Sequence, residues 1–326
     1  MSAFLSKSAR IFVAGDRGLV GSALVERLQK AEYTNILTRT RQDLDLSDEA
    51  AVRKFFADAR PEGVFIAAAK VGGIHANNVY RADFIHENLL IQNNLIWASH
   101  LNKVQRVVFL GSSCIYPREA PQPMPETCLL SGPLEYTNRP YALAKIAGIE
   151  LIDSLRKQYG HDYFSAMPTN LYGPRDNFHP ENSHVLPALL RKFVEATQRG
   201  DKTVCVWGSG NPRREFMYSE DCADAIVHLF ETLSKEQLDK SEVGKAGWSH
   251  VNVGTGTDVS IRELAEAIAA ATGFKGEIVF DPSKPDGTMR KLLDVSFLRE
   301  LGWKSKVTLN EGVRKTLDWY DSVKIN

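Results

Sequence analysis

An excess of charge of one sign is the first thing this sequence lacks. Its 326 residues include 40 Lys and Arg against 40 Asp and Glu, which leaves no formal net charge. Binding to nucleic acid or to anionic lipid relies on many uncompensated Lys and Arg side chains, so the composition argues against both kinds of partner. Any basic patch must therefore be local.

Cysteines and long apolar runs are also scarce. The four cysteines, Cys114, Cys128, Cys205 and Cys222, form no CxxC pair and have no zinc-type spacing with histidine. We therefore expect neither a disulfide framework nor a metal site. No run of about 18 apolar residues is available to span a membrane, and the N-terminal segment lacks the apolar core of a signal peptide. These absences favour a cytoplasmic protein.

Apolar residues themselves are plentiful, at 43%, and their spacing alternates between that of a strand and that of a helix. The expected strands are 10–14, 35–38, 64–69, 106–110 and 164–167, and the helices between them are 19–30, 49–59, 87–101 and 140–160. This alternation predicts an α/β protein with a parallel sheet and right-handed crossovers, in a Rossmann-type doubly wound fold.

The pattern loosens after residue 172, where turn-rich loops separate shorter elements. Helices are expected at 183–200, 219–233 and 260–272, strands at 204–207, 251–253 and 277–280, and an exposed polar loop at 237–248. We therefore predict a first domain over 1–172, to which parts of 215–260 return, and a smaller α/β lobe over 173–326.

Three glycines at three-residue intervals lie between the first strand and the first helix. Glycines in that place allow a tight turn, close approach of the backbone to a pyrophosphate and close helix packing, while the helix N-terminus supplies N–H donors. The motif predicts a dinucleotide site in the first domain, with an ordinary loop as the alternative. The predicted contacts in this turn are Gly15, Arg17, Gly18, Leu19, Val20 and Gly21.

The end of the second strand indicates which dinucleotide is bound. Sites that prefer NAD place an acidic residue there to bind the ribose hydroxyls, whereas this chain has Arg39 and Arg41. Together with Arg17, these guanidinium groups suit a 2′-phosphate, so we predict NADP(H). A solvated surface pair is the alternative, and the nearby Asp43 and Asp45 dilute the positive charge.

A Tyr-x-x-x-Lys pair follows Pro140 at the start of a predicted helix. Residues four apart share a helix face, so the Tyr141 phenol and the Lys145 ammonium are expected side by side. A neighbouring ammonium favours the phenolate and lowers the phenol pKa, which would let Tyr141 exchange a proton with a carbonyl oxygen.

A second polar group follows the strand at 106–110. Functional groups gather at the carboxyl ends of parallel strands, and here Ser112 and Cys114 replace the apolar residues of a core. If the chain stays extended, both side chains face the same way. The alternative for Cys114 is a small buried hydrophobic residue, as most free cysteines are.

These motifs are similar to those of a known family. The glycine turn, Ser112, Tyr141 and Lys145 resemble the extended short-chain dehydrogenase/reductase family over nearly the whole chain. Longer runs resemble the branch of that family that acts on GDP-linked keto sugars. Those runs are 67–74, 111–117, 167–174, 176–180 and 182–187.

The resemblance implies a substrate and two reactions. The substrate would be GDP-4-keto-6-deoxy-D-mannose, inverted at C3 and C5 and then reduced at C4 by NADPH. Because the C4 ketone acidifies the hydrogens on both neighbouring carbons, one polarised oxygen serves both steps, held by Tyr141 and Ser112. Cys114 and His184 match the residues that exchange protons at C3 and C5. Without the resemblance, His184 would be taken as a helix cap or a surface residue.

The resemblance also implies where cofactor and sugar nucleotide bind. Lys145 would bind the nicotinamide ribose, and the lobe over 173–326 would hold GDP through cations for phosphate and an aromatic ring for stacking. The further cofactor contacts are Pro168, Asn170 and Leu171, and the substrate contacts are Asn170, His184, Arg191, Lys192, Trp207 and Arg214. The alternatives are a solvated helix face for the cations of 191–192 and core packing for the Trp207 ring.

Two other functions and an assembly are also considered. A nucleotide-sugar 4-epimerase or 4,6-dehydratase on the same scaffold would retain NAD, and a non-catalytic NADP-binding sensor would have lost the chemistry. The intact Ser112, Tyr141 and Lys145 argue against the sensor. The helices at 87–101 and 140–160 are apolar on more than one side, which predicts a homodimer through a helix bundle, unless the smaller lobe covers them.

Overall fold

The protein alternates strands and helices along the part of the chain that is described, residues 5–179, 182–284 and 286–324 of a computed structural model. The strands are β1 (Ile11–Ala14), β2 (Ile36–Leu37), β3 (Gly63–Ile66), β4 (Arg106–Leu110), β5 (Asp162–Pro168), β6 (Asn170–Tyr172), β7 (Thr203–Trp207), β8 (Arg213–Arg214), β9 (Phe216–Tyr218), β10 (His250–Val253), β11 (Val259–Ser260), β12 (Glu277–Asp281) and β13 (Arg290–Lys291). The helices are α1 (Leu19–Lys30), α2 (Glu49–Ala59), α3 (Ile74–Val79), α4 (Arg81–Leu101), α5 (Arg139–Tyr159), α6 (Val185–Arg199), α7 (Ser219–Thr232), α8 (Lys235–Lys240), α9 (Glu242–Lys245), α10 (Ile261–Thr272), α11 (Ser296–Glu300) and α12 (Leu309–Lys324).

Six parallel strands form the main sheet, in the order β2-β1-β3-β4-β5-β10. Every residue of β1, β3 and β4 is buried, as expected for strands with helices on both faces. One apolar core lies between the sheet and the helices α1 and α7, and another lies under α2, α4 and α5. The predicted Rossmann-type doubly wound fold is confirmed.

A smaller set of elements surrounds a third apolar core, built from α6, α10 and α12. Beside it, β7 pairs with β12, and β8 lies between β11 and β13. The pairing of β13 with β8 sets Lys291 opposite Arg214. Two distant stretches of sequence thus present cations from neighbouring strands.

Several predicted elements differ in the structure; the strand expected at 64–69, for example, spans Gly63–Ile66. The helix expected at 87–101 begins at Arg81, and α3 precedes it. The loop expected at 237–248 contains α8 and α9, whose Leu238 and Val243 side chains are buried. Ser234 forms a capping box with Gln237 at the start of α8. This capping signal is present in the sequence, but the polar composition of the segment concealed it.

The apolar residues of α5 that suggested a dimer are buried within the chain. Ile146, Ile149, Ile152 and Leu155 belong to the core between the helices and the main sheet, and Leu151 packs against it. They are therefore no argument for a subunit contact. Among the described residues, no helix is long and apolar enough to cross a membrane.

Candidate active site

The predicted site residues of the first domain lie where β1, β4 and β5 end. These strands are parallel members of the same sheet, so their carboxyl ends lie along one edge of it. The glycine turn follows β1, Ser112 follows β4, and Asn170 follows β5. The fold therefore brings three separate motifs to one edge.

Two glycines of the turn leave no room for a Cβ atom. Gly15 has φ +89°, and a Cβ there would lie 2.7 Å from the amide nitrogen of Ala68. A Cβ on Gly21 would collide with the carbonyl oxygen of Gly15. Gly18 precedes α1, no side chain caps this helix, and its first turn holds no acidic residue. Uncapped N–H groups at a helix N-terminus fit a pyrophosphate.

Arginines from two segments converge beside this turn. The exposed Asp43 carboxylate hydrogen-bonds with Thr40, which lowers its pKa, and the charges of Arg39 and Arg17 add to the shift. The Arg39 guanidinium lies 5.0 Å from the centre of the Phe55 ring. Hydrogen bonds with Ser47 lower the pKa of Asp45, and the charge of Arg41 lowers it further. Arg17 and Arg39 therefore share one small region.

The segment after β4 is not extended. The prediction that Ser112 and Cys114 face the same way required an extended chain, so it does not apply. Residues Ser113–Ile115 form a single 3-10 turn, and the Ser112 hydroxyl accepts a hydrogen bond from the Cys114 amide at 3.4 Å. This turn buries the Cys114 side chain, and the burial raises its pKa. The thiol lies close enough to Tyr141 and Lys145 to affect both pKa values.

Tyr141 and Lys145 lie in the first two turns of α5, as predicted, but the expected effect of the ammonium on the phenol is wrong. Burial raises the Tyr141 pKa well above its usual value, and burial lowers the Lys145 pKa to about 8. The Lys145 Nζ donates to the carbonyl oxygen of Leu110 at 2.7 Å and lies 5.8 Å from the Tyr141 ring centre. Desolvation is thus the largest cause of both pKa shifts, and the charge of Cys114 is the second influence on both groups.

Sequence reasoning missed Lys291, a cation of β13. Burial lowers its pKa, and the nearest charge effects on it come from Cys114 and then Arg214. Nearly 180 residues separate Lys291 from Cys114 in the chain. In the sequence, Lys291 stands in the pair Arg290-Lys291, and such a charged pair is typical of a solvated surface.

The segment that leads into His184 contacts the loop that follows β3. The Gly73 amide donates to the carbonyl oxygen of Asn182 at 2.9 Å, and a Cβ on Gly73 would collide with the carbonyl oxygen of Ser183. His184 precedes α6, but its side chain makes no capping bond. His184 is exposed, although nearby protein atoms partly desolvate the ring and lower its pKa. Pro180, within one of the motifs, lies outside the described residues.

The loop after β5 holds the other predicted contacts of this domain. Pro168 ends β5, and Asn170 and Leu171 begin β6. The Asn170 side-chain amide donates to the carbonyl oxygen of Glu215 at 2.8 Å, which fixes the orientation of this side chain.

The cations and the aromatic ring of the smaller lobe have different surroundings. Trp207 is 69% exposed, so core packing does not explain it. Lys192, on α6, donates to the carbonyl oxygen of Cys205 at 2.5 Å. Its ammonium group thus lies beside β7, the strand that ends at Trp207. Arg214 is partly buried, and burial lowers its pKa. Arg191 instead pairs with Glu195 on its own helix, at 2.7 Å.

No group of three or more His, Cys, Asp or Glu side chains suited to a metal ion occurs among the described residues. The groups at or near the sheet edge that can exchange a proton or stabilise charge are a hydroxyl, a thiol, a phenol, an imidazole and two amines.

Comparisons with known proteins identify the family. The model of the NAD dependent epimerase/dehydratase family matches residues 11–254. The GDP-L-fucose synthase of Escherichia coli is 54% identical, over 95% of this chain and 96% of its own. A solved GDP-6-OMe-4-keto-L-xylo-heptose reductase from C. jejuni is 40% identical with a TM-score of 0.92, over 98% of this chain and 99% of its own.

A solved GDP-L-fucose synthetase from Naegleria fowleri, bound to NADP, has a TM-score of 0.87 at 28% identity, over 100% of this chain and 98% of its own. The predicted resemblance to the extended short-chain dehydrogenase/reductases is thus confirmed. The chain belongs to the NAD dependent epimerase/dehydratase family and, within it, to the GDP-L-fucose synthases.

Proposed function

We propose that the protein converts GDP-4-keto-6-deoxy-D-mannose to GDP-L-fucose, by epimerisation at C3 and C5 and NADPH-dependent reduction at C4. The observation that carries this proposal is the convergence of Ser112, Cys114, Tyr141 and Lys145 at the sheet edge beside the glycine turn. Relatives of this family that are about half identical in sequence support the same assignment.

The raised pKa of Tyr141 suits the reduction. A phenol that stays protonated near neutral pH can donate its proton to the C4 oxygen. Ser112 donates a hydrogen bond to the same oxygen, which stabilises negative charge on it. NADPH, when bound at the glycine turn, supplies the hydride that reaches C4. Lys145 keeps a positive charge near this oxygen below about pH 8.

Epimerisation needs a group that removes a proton from one face of the sugar and a group that returns one to the other face. The hydrogens on C3 and C5 flank the C4 ketone and are acidified by it. Cys114 and His184 are the groups proposed for this exchange, because a thiol and an imidazole can each take up and release a proton. Lys291 and Lys145 stabilise the thiolate form of Cys114 electrostatically.

The cofactor is NADP(H), held with its pyrophosphate on the glycine turn. Arg17 and Arg39 face the 2′-phosphate, and Arg41 adds positive charge nearby. In the double variant Arg39→Ala and Arg41→Ala, we expect the KM for NADPH to rise at least about tenfold while the KM for NADH stays within about twofold. Steady-state kinetics with both cofactors measures this, and an unchanged ratio of the two KM values contradicts the assignment.

The division of the chain near residue 172 separates the two ligands in this proposal. Residues before it hold the cofactor, with Pro168, Asn170 and Leu171 near the nicotinamide. The smaller lobe holds GDP, with the exposed Trp207 ring as a stacking platform. Lys192 and Arg214 face the diphosphate.

The quaternary state and location belong to the same proposal. We place a homodimer contact on α4 and α5, which together expose apolar side chains of Trp97 (39%), Leu101 (47%), Leu143 (44%) and Tyr159 (51%). We also place the protein in the cytoplasm, where its sugar nucleotide and NADPH are available. Light scattering of the purified protein gives the molar mass, and a monomer at micromolar concentration contradicts the dimer.

Incubation with the keto sugar and NADPH, followed by NMR of the product, tests the whole proposal. GDP-L-fucose with stoichiometric loss of NADPH is the expected result. A reduced sugar that keeps the original configuration at C3 and C5 removes the epimerase, and a product formed without NADPH consumption favours a 4-epimerase or dehydratase. NADPH binding without any turnover leaves only the sensor.

A further inference from the structure

Glu215 is a completely buried carboxylate directly after Arg214. A carboxylate out of water is unfavourable unless hydrogen bonds compensate for the lost solvation. Its Oε1 accepts from the amides of Thr255 at 2.6 Å and Gly256 at 2.7 Å and from the Thr255 hydroxyl at 3.2 Å. Its Oε2 accepts from the Leu293 amide at 3.0 Å. Both carboxylate oxygens are thus occupied.

The main chain of Glu215 adds contacts to two further segments. Its carbonyl oxygen accepts from the Asn170 side chain at 2.8 Å and from the Thr169 hydroxyl at 3.2 Å. Its amide donates to the carbonyl oxygen of Lys291 at 3.3 Å. One residue therefore joins the segment after β5, the segment after β10 and strand β13.

These segments carry three side chains of the proposed site: Asn170 lies near the nicotinamide, Arg214 faces the diphosphate, and Lys291 stabilises the Cys114 thiolate. Asn170 is hydrogen-bonded to the Glu215 carbonyl oxygen, and Arg214 directly precedes Glu215 in the chain. Lys291 lies opposite Arg214 and is two residues before Leu293, whose amide donates to the Glu215 carboxylate. We propose that Glu215 is a positioning residue that sets Asn170, Arg214 and Lys291 in one arrangement for the diphosphate and the sugar. This inference rests on the proposed function.

A carboxylate is required because every partner of the side chain is a donor. In Glu215→Gln, the amide NH₂ group would face at least one backbone N–H, and a buried donor would lose its acceptor. In Glu215→Asp, the acceptor charge is kept, but the chain is one methylene shorter and cannot reach both Thr255 and Leu293. We therefore expect both variants to loosen the three side chains of the proposed site.

Calorimetric titration with GDP, in the presence of saturating NADPH, tests the inference. We expect the Glu215→Gln variant to bind GDP about tenfold or more weakly than the unmodified protein, with a similar rise in the KM for the keto sugar and a smaller change in kcat. Because Asn170 is the one proposed cofactor contact that Glu215 binds, NADPH affinity should fall by no more than a few-fold.

Asp221→Asn is the matched control. Asp221 is also a buried carboxylate, 4% exposed, that accepts two backbone N–H groups, from Lys306 and Val307 at 2.8 Å each. It holds the segment before α12 rather than the side chains of the proposed site. We expect this variant to lower the melting temperature without changing GDP affinity or KM.

The outcomes separate the inference from the proposed function. If the unmodified protein does not bind GDP, both are overturned; if it binds GDP and Glu215→Gln binds equally well, only the role of Glu215 is overturned. Equal losses of stability and kcat in both variants, with KM unchanged, also overturn it, because they indicate a purely structural carboxylate. Should Glu215→Gln fail to fold, Gly254→Ala takes its place, since the added methyl group collides with Glu215 Oε1.

Discussion

Lys145 should impose an alkaline limit on the reaction. Its side chain is only 3% exposed, and burial lowers its pKa from 10.5 to about 8. A difference of that size corresponds to about 3 kcal/mol of unfavourable free energy for the charged form. The proposed reduction uses this charge near the C4 oxygen, so the rate should fall as the ammonium loses its proton.

The assay is the pH dependence of kcat/KM for reduction, which reports groups of the free enzyme. We expect the value to fall above about pH 8 and to approach a tenfold loss per pH unit. Lys145→Arg stays charged throughout this range, so it should be slower but should lack the alkaline limb. An alkaline limb that persists unchanged in Lys145→Arg, or a flat profile to pH 10 in the unmodified protein, refutes the reasoning.

Stability gives an independent measure of the same pKa. Because the folded-state pKa of Lys145 is depressed, the unfolded chain binds more protons between about pH 8 and 10.5, and stability from this group rises with pH across that window. The unmodified protein should gain about 2 kcal/mol between pH 8 and 9.5 relative to Lys145→Met. Denaturant titrations at the two pH values measure this difference, and no relative gain means that the ammonium is not desolvated.

Four further variants test the site and its support. Tyr141→Phe should abolish reduction with NADPH affinity within a few-fold, as measured by fluorescence titration, and full activity would discredit the proton donor. Cys114→Ser and His184→Gln should block epimerisation first, seen by NMR as lost solvent-deuterium incorporation at C3 and C5; undiminished incorporation in both removes these residues from the exchange. Burial raises the Asp224 pKa, but hydrogen bonds from three side chains outweigh it and hold the pKa at about 2. Asp224→Asn should therefore lower the free energy of unfolding by about 2 kcal/mol at pH 7. This contribution is present above the unfolded pKa of 3.8 and disappears as the pH falls toward 2. Equal stability of the variant and the unmodified protein in urea at pH 7 contradicts the prediction.

Several features of the fold could be predicted from the sequence because they depend on local spacing. The apolar runs of β1, β3 and β4 are readable because a strand with helices on both faces is apolar at every position. Helix α5 is readable from Pro140 at its start and Gly160, with φ +75°, at its end. By contrast, α8 and α9 were missed, since short polar helices owe little to periodicity.

The candidate site likewise has parts that could be predicted from the sequence and parts that could not. The glycine turn and the Tyr141 and Lys145 pair lie within single short segments, so the sequence alone determined their spacing and their place at element starts. The edge of the sheet where they meet also followed from strand order in a parallel fold.

Only the tertiary structure decided the electrostatics and the long-range partners. Desolvation depends on which atoms surround a group, and those atoms come from distant segments, so neither the raised pKa of Tyr141 nor the lowered pKa of Lys145 could be read from their four-residue spacing. The approach of Lys291 to Cys114, and the hydrogen bonds of Glu215 to three loops, likewise arise from packing. Sequence spacing determines which groups can act together on one element, whereas burial determines the protonation state in which they do so.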